Sequence, residues 1–272
     1  MKGFVVTLFL LGFLFSGNAQ QNAVYKANKK GRFYIFWGWN RDAYTKSDIT
    51  LKGADYDFTL RNVIAHDEPI SPNYHDYLQP DRITIPQTNI RVGYFIKDNL
   101  AISLGVDHMK YVMTQDQDVM MEGYISRPGK YVGVYNGMQK MTEDLLTFEH
   151  TDGLNYVNVE IEKYHLLYQS KSNQVIVSAL VGGGVGVLFP KTNVKLLDYN
   201  RNDRFHVSGF GLSAKGGLQA VFFKHLLIRS EVKGGFIDMP NIILHEKGVE
   251  GRGKQNFFFG QGNVCIGYTH LL

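Results

Sequence analysis

The chain has 272 residues, 44% hydrophobic and 20% charged, which is too apolar for a disordered segment. A mean hydropathy of −0.18 is too polar for a bundle of membrane helices. Its single cysteine, Cys265, excludes an intramolecular disulfide framework and a cysteine-rich metal site, and a formal charge of +4 is too mild to indicate nucleic acid.

The first nineteen residues read as a secretory signal. Lys2 precedes an apolar run from Phe4 to Phe15, and small residues follow at Gly17 and Ala19. Twelve residues at a rise of 1.5 Å cover about 18 Å, short of the ~30 Å hydrocarbon layer of a bilayer. Cleavage after Ala19 leaves a mature chain of 20–272. Lys2 is the only charge in the leader, so the net charge falls to +3. No cysteine follows the cleavage site, so no lipoprotein is expected.

From there on the sequence alternates, and 29 glycines with 13% aromatics favour long strands. The period of two predicts eight strands, at about 31–41, 88–97, 99–113, 153–169, 174–189, 205–222, 226–237 and 256–271. In the third, Leu100, Ile102, Leu104 and Val106 oppose Ala101, Ser103, Gly105 and Asp107. In the fifth, Val175, Val177, Ala179, Val181, Val185 and Val187 oppose small residues that include Gly182, Gly184 and Gly186. The last strand sets Val264, Ile266 and Tyr268 against Asn263, Cys265 and Gly267. A soluble sandwich buries its apolar face, whereas a membrane barrel turns that face to lipid.

Three features favour the barrel. Several strands exceed fifteen residues, against about 5–6 in a sandwich. Charges sit on the face opposite the apolar one: Arg91, Asp107, Glu160, Glu162, Lys215, Arg229, Glu231 and Lys233. Mixed in sign, they suit an interior plugged by ion pairs. Finally, short connections (97–99, 170–173, 223–225) alternate with long ones (42–87, 114–152, 190–204, 238–254), as short periplasmic turns alternate with long external loops. The fold class is therefore all-β: a closed antiparallel transmembrane β-barrel of eight strands with long external loops. Segment 57–64 is strand-like and leaves ten strands open, but an extended hairpin above the membrane is preferred. Two aromatic bands are expected, one near the loops (Trp37, Trp39, Tyr111, Phe189, Phe205, Phe236, Phe257, Phe258, Phe259) and one near the turns (Phe95, Tyr164, Tyr168, Phe222, Phe223, Tyr268).

Candidate chemistry is sparse. Gly182–Gly186 is glycine-rich, yet no Lys-Ser/Thr follows it, and room for the lumen explains it better than a phosphate loop. Polar groups gather at the outer ends of the third and fourth strands: Asp107, His108 and Lys110, then Glu149, His150, Asp152 and Asn155. By parity Asp107, His150 and Asp152 form the inward set. A histidine beside carboxylates could serve as a general base or hold a divalent cation; a hydrogen-bonded rim that tethers the loop is the alternative. Segment 42–85 carries eight acids against four bases, and 114–152 seven against three, from solubility or from cations bridging lipid phosphates. No metal site and no cofactor motif is present in the sequence.

The signal segment, the alternating strands, the short-turn/long-loop order and the closing run Val264–Leu272 resemble the small outer-membrane β-barrel proteins of Gram-negative bacteria. The resemblance is architectural. It implies an outer-membrane location, contact with outer-membrane lipid and lipopolysaccharide, delivery to the barrel-assembly machinery through the C-terminal strand, and a monomer. It leaves three readings of function: a plugged, non-enzymatic barrel with an envelope or surface-binding role, a lipid A-modifying enzyme like the deacylase barrels of similar size, and a narrow solute channel.

Overall fold

Which side of each strand meets protein and which meets the outside is decided by parity, and the apolar parity points out. In the computed structural model, which describes residues 26–69, 87–202 and 204–272, Leu104 is 58% exposed while its neighbours Ser103 and Gly105 are buried. Val181, Val232 and Val264 are exposed in the same way, whereas Arg229 and Lys233 are not exposed at all. A surface of this kind is stable only against hydrocarbon.

Among the described residues fourteen strands form one antiparallel sheet: β1 (Arg32–Tyr44), β2 (Ser47–Gly53), β3 (Tyr56–Val63), β4 (Ala65–His66), β5 (Thr88–Lys97), β6 (Leu100–Met113), β7 (Asp118–Ile125), β8 (Gly133–Lys140), β9 (Leu146–Gln169), β10 (Val175–Leu188), β11 (Asn193–Leu196), β12 (Gly209–Phe222), β13 (Leu226–Ile243) and β14 (Gly251–Leu271). Eight of them, in the order β1-β5-β6-β9-β10-β12-β13-β14, close into a ring, because β14 pairs back onto β1 from Arg32↔Leu271 to Tyr44↔Phe259. The ring contains every strand predicted from alternation. The strand-like stretch at 57–64 is β3, paired with β2 and β7 outside the ring, so the barrel has eight strands and not ten.

The lower turns are tight. Phe223 and Lys224 both have positive φ, at 51° and 68°, and the His225 N–H donates to the Phe222 carbonyl. That is the type I′ geometry that matches strand twist, here built without glycine. Residues 26–31 fold across this mouth. Asn28 donates to Ser178 Oγ at 3.0 Å, and Ala27 packs with Ile176 and Val221.

At the other end the long connections are folded. The sheet β2-β3-β7-β8 hangs from the upper part of β14, beginning at Ile49↔Gln255. Its inner face (Ile49, Leu51, Phe58, Leu60, Val119, Met121) packs on residues from the upper barrel strands, among them Met109, Phe148, Leu188 and Ile237, in one continuous apolar core. This corrects the predicted aromatic bands. Tyr111, Phe257 and Phe259 point into the external core, and Phe95 and Tyr164 into the lower lumen. Outward aromatics remain at two levels: Phe189, Phe205 and Phe258 above, Tyr94, Tyr168, Phe223 and Tyr268 below.

Candidate functional site

The eight charged residues picked out by parity come from five different strands and meet in one buried layer. Lys215 Nζ lies 2.6 Å from Glu160, 2.6 Å from Glu162 and 3.2 Å from Glu231. Lys233 Nζ lies 2.5 Å from Asp107 and 2.7 Å from Glu160. Arg91 reaches Glu160 at 3.0 Å and Asp107 at 3.7 Å, and donates to Asn158 at 2.7 Å. Arg229 donates to Glu162 at 3.2 Å and to Gln219 at 2.7 Å, with its guanidinium over the rings of Tyr34 and Phe36. Four cations face four carboxylates, so the layer is neutral. Tyr34 and Tyr164 both donate to Glu162. These neutral partners, with Asn158, Gln219 and Asn263, escaped the sequence reading because polar uncharged residues are unremarkable on a strand.

Glycine makes room for this layer. A Cβ on Gly184 would stand 2.5 Å from Glu160 Cγ and 2.6 Å from the Val159 carbonyl oxygen, and one on Gly105 2.8 Å from Arg91 Cζ. Gly184→Val should therefore destabilise the barrel by about 1–3 kcal/mol through overpacking. Gly260→Val, where nothing lies within 4 Å of an added Cβ, should not. Urea unfolding of both variants in lipid vesicles checks the contrast.

Two members of the proposed acid–base set, Asp107 and His150, do not meet. Asp107 belongs to the lumen layer, bound to Lys233 and Asn158. His150 is the cross-strand partner of Tyr111, four positions further along β6 than Asp107, which is about 13 Å of strand. A register shift between Met109 and Tyr111 lies between them. The side chain of Asp152 lies outside the described ones. His108 points away from both and faces Asn155 at 2.8 Å.

His150 is instead part of a neutral chain inside the external core. Its Nδ1 is 2.8 Å from Thr192 Oγ1, and its Nε2 3.2 Å from Gln255 Oε1. Gln255 donates to Ser47, which lies 3.1 Å from the Tyr111 hydroxyl. The amide oxygen can only accept, so Nε2 carries the proton and Nδ1 accepts from the threonine. Tyr111 and Phe148 flank the ring. Burial pushes this imidazole down to about 4, as it does His245, whose Nε2 lies 2.6 Å from the Tyr56 hydroxyl. Both are outside the belt that faces lipid.

Several acids of the external loops are held in ion pairs. Asp48 and Glu122 hold Arg61, Asp55 and Asp198 hold Arg127, and Asp144 holds Lys130. Among the described residues no three His, Cys, Asp or Glu side chains converge as metal ligands would. A cleft of about 290 Å³ opens near Arg127, Tyr131 and Asp144, but its cations already have these carboxylate partners.

No family model and no curated protein matches the chain. Among solved structures it is similar to the outer membrane protein OprG from Pseudomonas aeruginosa, with 12% identity and a TM-score of 0.40, over 91% of this chain and 100% of that one. It is also similar to Neisserial surface protein A (10%, 0.39, 88% and 99%) and to Ail, the attachment invasion locus protein of Yersinia pestis (11%, 0.35, 89% and 100%). At these TM-scores the likeness carries no argument of its own. The closed ring does: an even number of antiparallel strands with an apolar outside and a polar inside is the build of an outer-membrane β-barrel.

Proposed function

We propose that the protein is a Gram-negative outer-membrane barrel with a plugged lumen, whose role is to present a rigid folded sheet at the cell surface rather than to conduct or catalyse. The observation that supports this is the neutral four-plus-four ion-pair layer. It lies between the external apolar core and a lower one of Tyr34, Phe36, Phe95, Tyr164 and Leu227. A conducting pore needs a continuous wet path, and eight strands enclose little more than their own side chains. Its partners in this reading are outer-membrane lipid and lipopolysaccharide around the belt, and the barrel-assembly machinery at β14. The protein acts as a monomer.

Reconstitution in planar bilayers tests the plug. The expected record is flat, from protein that migrates faster unboiled than boiled and is therefore folded. Reproducible conductance steps from the same preparation would overturn the plug. Recovery in the soluble periplasm would overturn the membrane assignment.

A further inference from the structure

Two carboxylates meet at the upper end of the lumen, where the segment after β4 comes against the barrel wall. Asp42 lies on the inward parity of β1, two positions beyond Asn40, and Asp67 directly follows β4. One oxygen of each is anchored. Gln261 Nε2 donates to Asp42 Oδ1 at 3.0 Å, and the Asp42 N–H donates to Asp67 Oδ2 at 3.1 Å. The two remaining oxygens converge on a single point. Gln87 Nε2 fills it, 2.9 Å from Asp42 Oδ2 and 2.6 Å from Asp67 Oδ1.

Among the described residues the partners of both carboxylates are neutral N–H donors. Arg41 is exposed on the opposite parity of β1 and donates to the Asn40 carbonyl at 2.8 Å, so it does not stand between them. Further down the lumen, Lys233 and Arg91 are engaged by Asp107 and Glu160. The amide at the meeting point is itself unsatisfied. Gln87 is wholly buried, and its Oε1 has no hydrogen-bond partner. Two ionised carboxylates hold the amide nitrogen toward them, and its oxygen bears the cost of desolvation. Asn40, whose N–H donates to the Gln87 carbonyl at 3.3 Å, is buried beside it with Oδ1 also unpartnered. Two carboxylates and two orphaned amide oxygens therefore share one corner of the upper lumen.

We propose that Asp42 and Asp67, with the amide oxygens of Gln87 and Asn40, bind a calcium ion at this point. A donor set made only of oxygen suits a hard divalent cation, whereas zinc favours nitrogen and sulfur. Calcium accepts irregular sets of carboxylate and amide oxygens at about 2.3–2.6 Å. It takes the place of Gln87 Nε2, the carboxylates close in slightly, and the amide turns over to present Oε1. Magnesium demands a near-ideal octahedron at about 2.0–2.1 Å and keeps several of its waters, which suits this crowded corner less well. The hydrogen bonds from Gln261 and the Asp42 N–H orient the two carboxylates, as outer partners do at metal sites. Asp42 and Asp67 are half-buried, which leaves the ion a path from outside. Once bound, it ties the segment after β4 to β1. The site does not depend on the plugged-lumen reading.

The test is equilibrium dialysis of the full protein, folded in detergent and stripped with EDTA, against radioactive Ca²⁺ with and without competing Mg²⁺. Heat-modifiable migration shows that each sample is folded. The wild type should take up a single Ca²⁺ with a dissociation constant on the order of 10⁻⁴–10⁻³ M, and about a tenfold excess of Mg²⁺ should not displace it. Asp42→Asn and Asp67→Asn should each weaken uptake about 10-fold or more, since affinity follows the charge of the ligands. Gln87→Glu, which sets a third carboxylate at the meeting point, should tighten it by about 10-fold. Asp118→Asn, at an exposed acid on β7, should change nothing. Absence of saturable uptake by the folded wild type would overturn the proposal, as would equal competition by Mg²⁺ or undiminished uptake by either folded aspartate variant. A loss in Asp118→Asn as large as in Asp42→Asn would overturn it too, because the attraction would then be diffuse. If the aspartate variants do not fold, Gln87→Glu decides, and weaker uptake than wild type counts against the site.

Discussion

Glu160→Ala should destabilise the barrel by roughly 3–5 kcal/mol, the cost of leaving buried charge uncompensated. Glu160 touches Arg91, Lys215 and Lys233, at 3.0, 2.6 and 2.7 Å. Its removal leaves four cations facing three carboxylates with no water to disperse the excess. Val181→Ala on the lipid face removes two methyl groups from hydrocarbon contact and should cost under about 1.5 kcal/mol. The double variant Glu160→Ala/Lys233→Met restores neutrality and should lose less than the sum of its parts by about 1 kcal/mol or more. Urea unfolding in lipid vesicles, followed by tryptophan fluorescence, gives all three values. If Glu160→Ala unfolds with the wild type, the layer is in contact with bulk water and the plug fails.

Acid should loosen the external core while the barrel persists. His150 binds its proton at about 4 in the folded chain and near 6.5 in the unfolded one. Between those values the unfolded form holds more protons. The contribution of neutral His150 is thus complete above pH ~6.5 and is lost as the pH falls toward 4. By pH 4.5 the loss is about 2.5 kcal/mol, and His245 acts in the same direction. Limited proteolysis at pH 7 and at pH 4.5, with an acid-tolerant protease, should show faster cleavage within 114–145 at the lower pH and unchanged protection of 153–169. His150→Gln should cleave faster than wild type at neutral pH and show a smaller acid effect. Identical cleavage at both pH values would refute the assignment. Lipid A mass in cells carrying His150→Ala should be unaltered, because among the described side chains the hydrogen-bond partners of this histidine are the neutral Thr192 and Gln255.

The barrel was legible because its information is local. Parity within a strand states which residues share a face, and connection length states which strands neighbour one another, so Arg91, Glu160 and Lys233 could be placed on one face without coordinates. The external sheet was not legible. Ile49 pairs with Gln255, a partner 206 residues away, and no spacing rule points there. The aromatic bands were misplaced for a related reason. Tyr111, Phe257 and Phe259 were sorted by height along a strand, when their parity, opposite to that of Phe258, sends them inward. The rim set failed on height instead: Asp107 and His150 share a parity, but the shifted register after Met109 and four positions of strand keep them apart.

The double attachment of β14 sets an order of assembly. This strand carries the seam with β1, the ladder with β13 and, through Gln255, the root of the external sheet. Arg32 cannot meet Leu271 until all eight ring strands have been delivered, so closure spans the whole ring and belongs to the slow end of folding. Until that moment β1 and β2 both lack their partner, and two exposed edges persist together. A chain interrupted before Gly251 would therefore lose its surface-exposed sheet along with its barrel, with no half-built intermediate able to stand in the membrane. Completion of the external sheet and closure of the barrel are then one event, set by the arrival of β14.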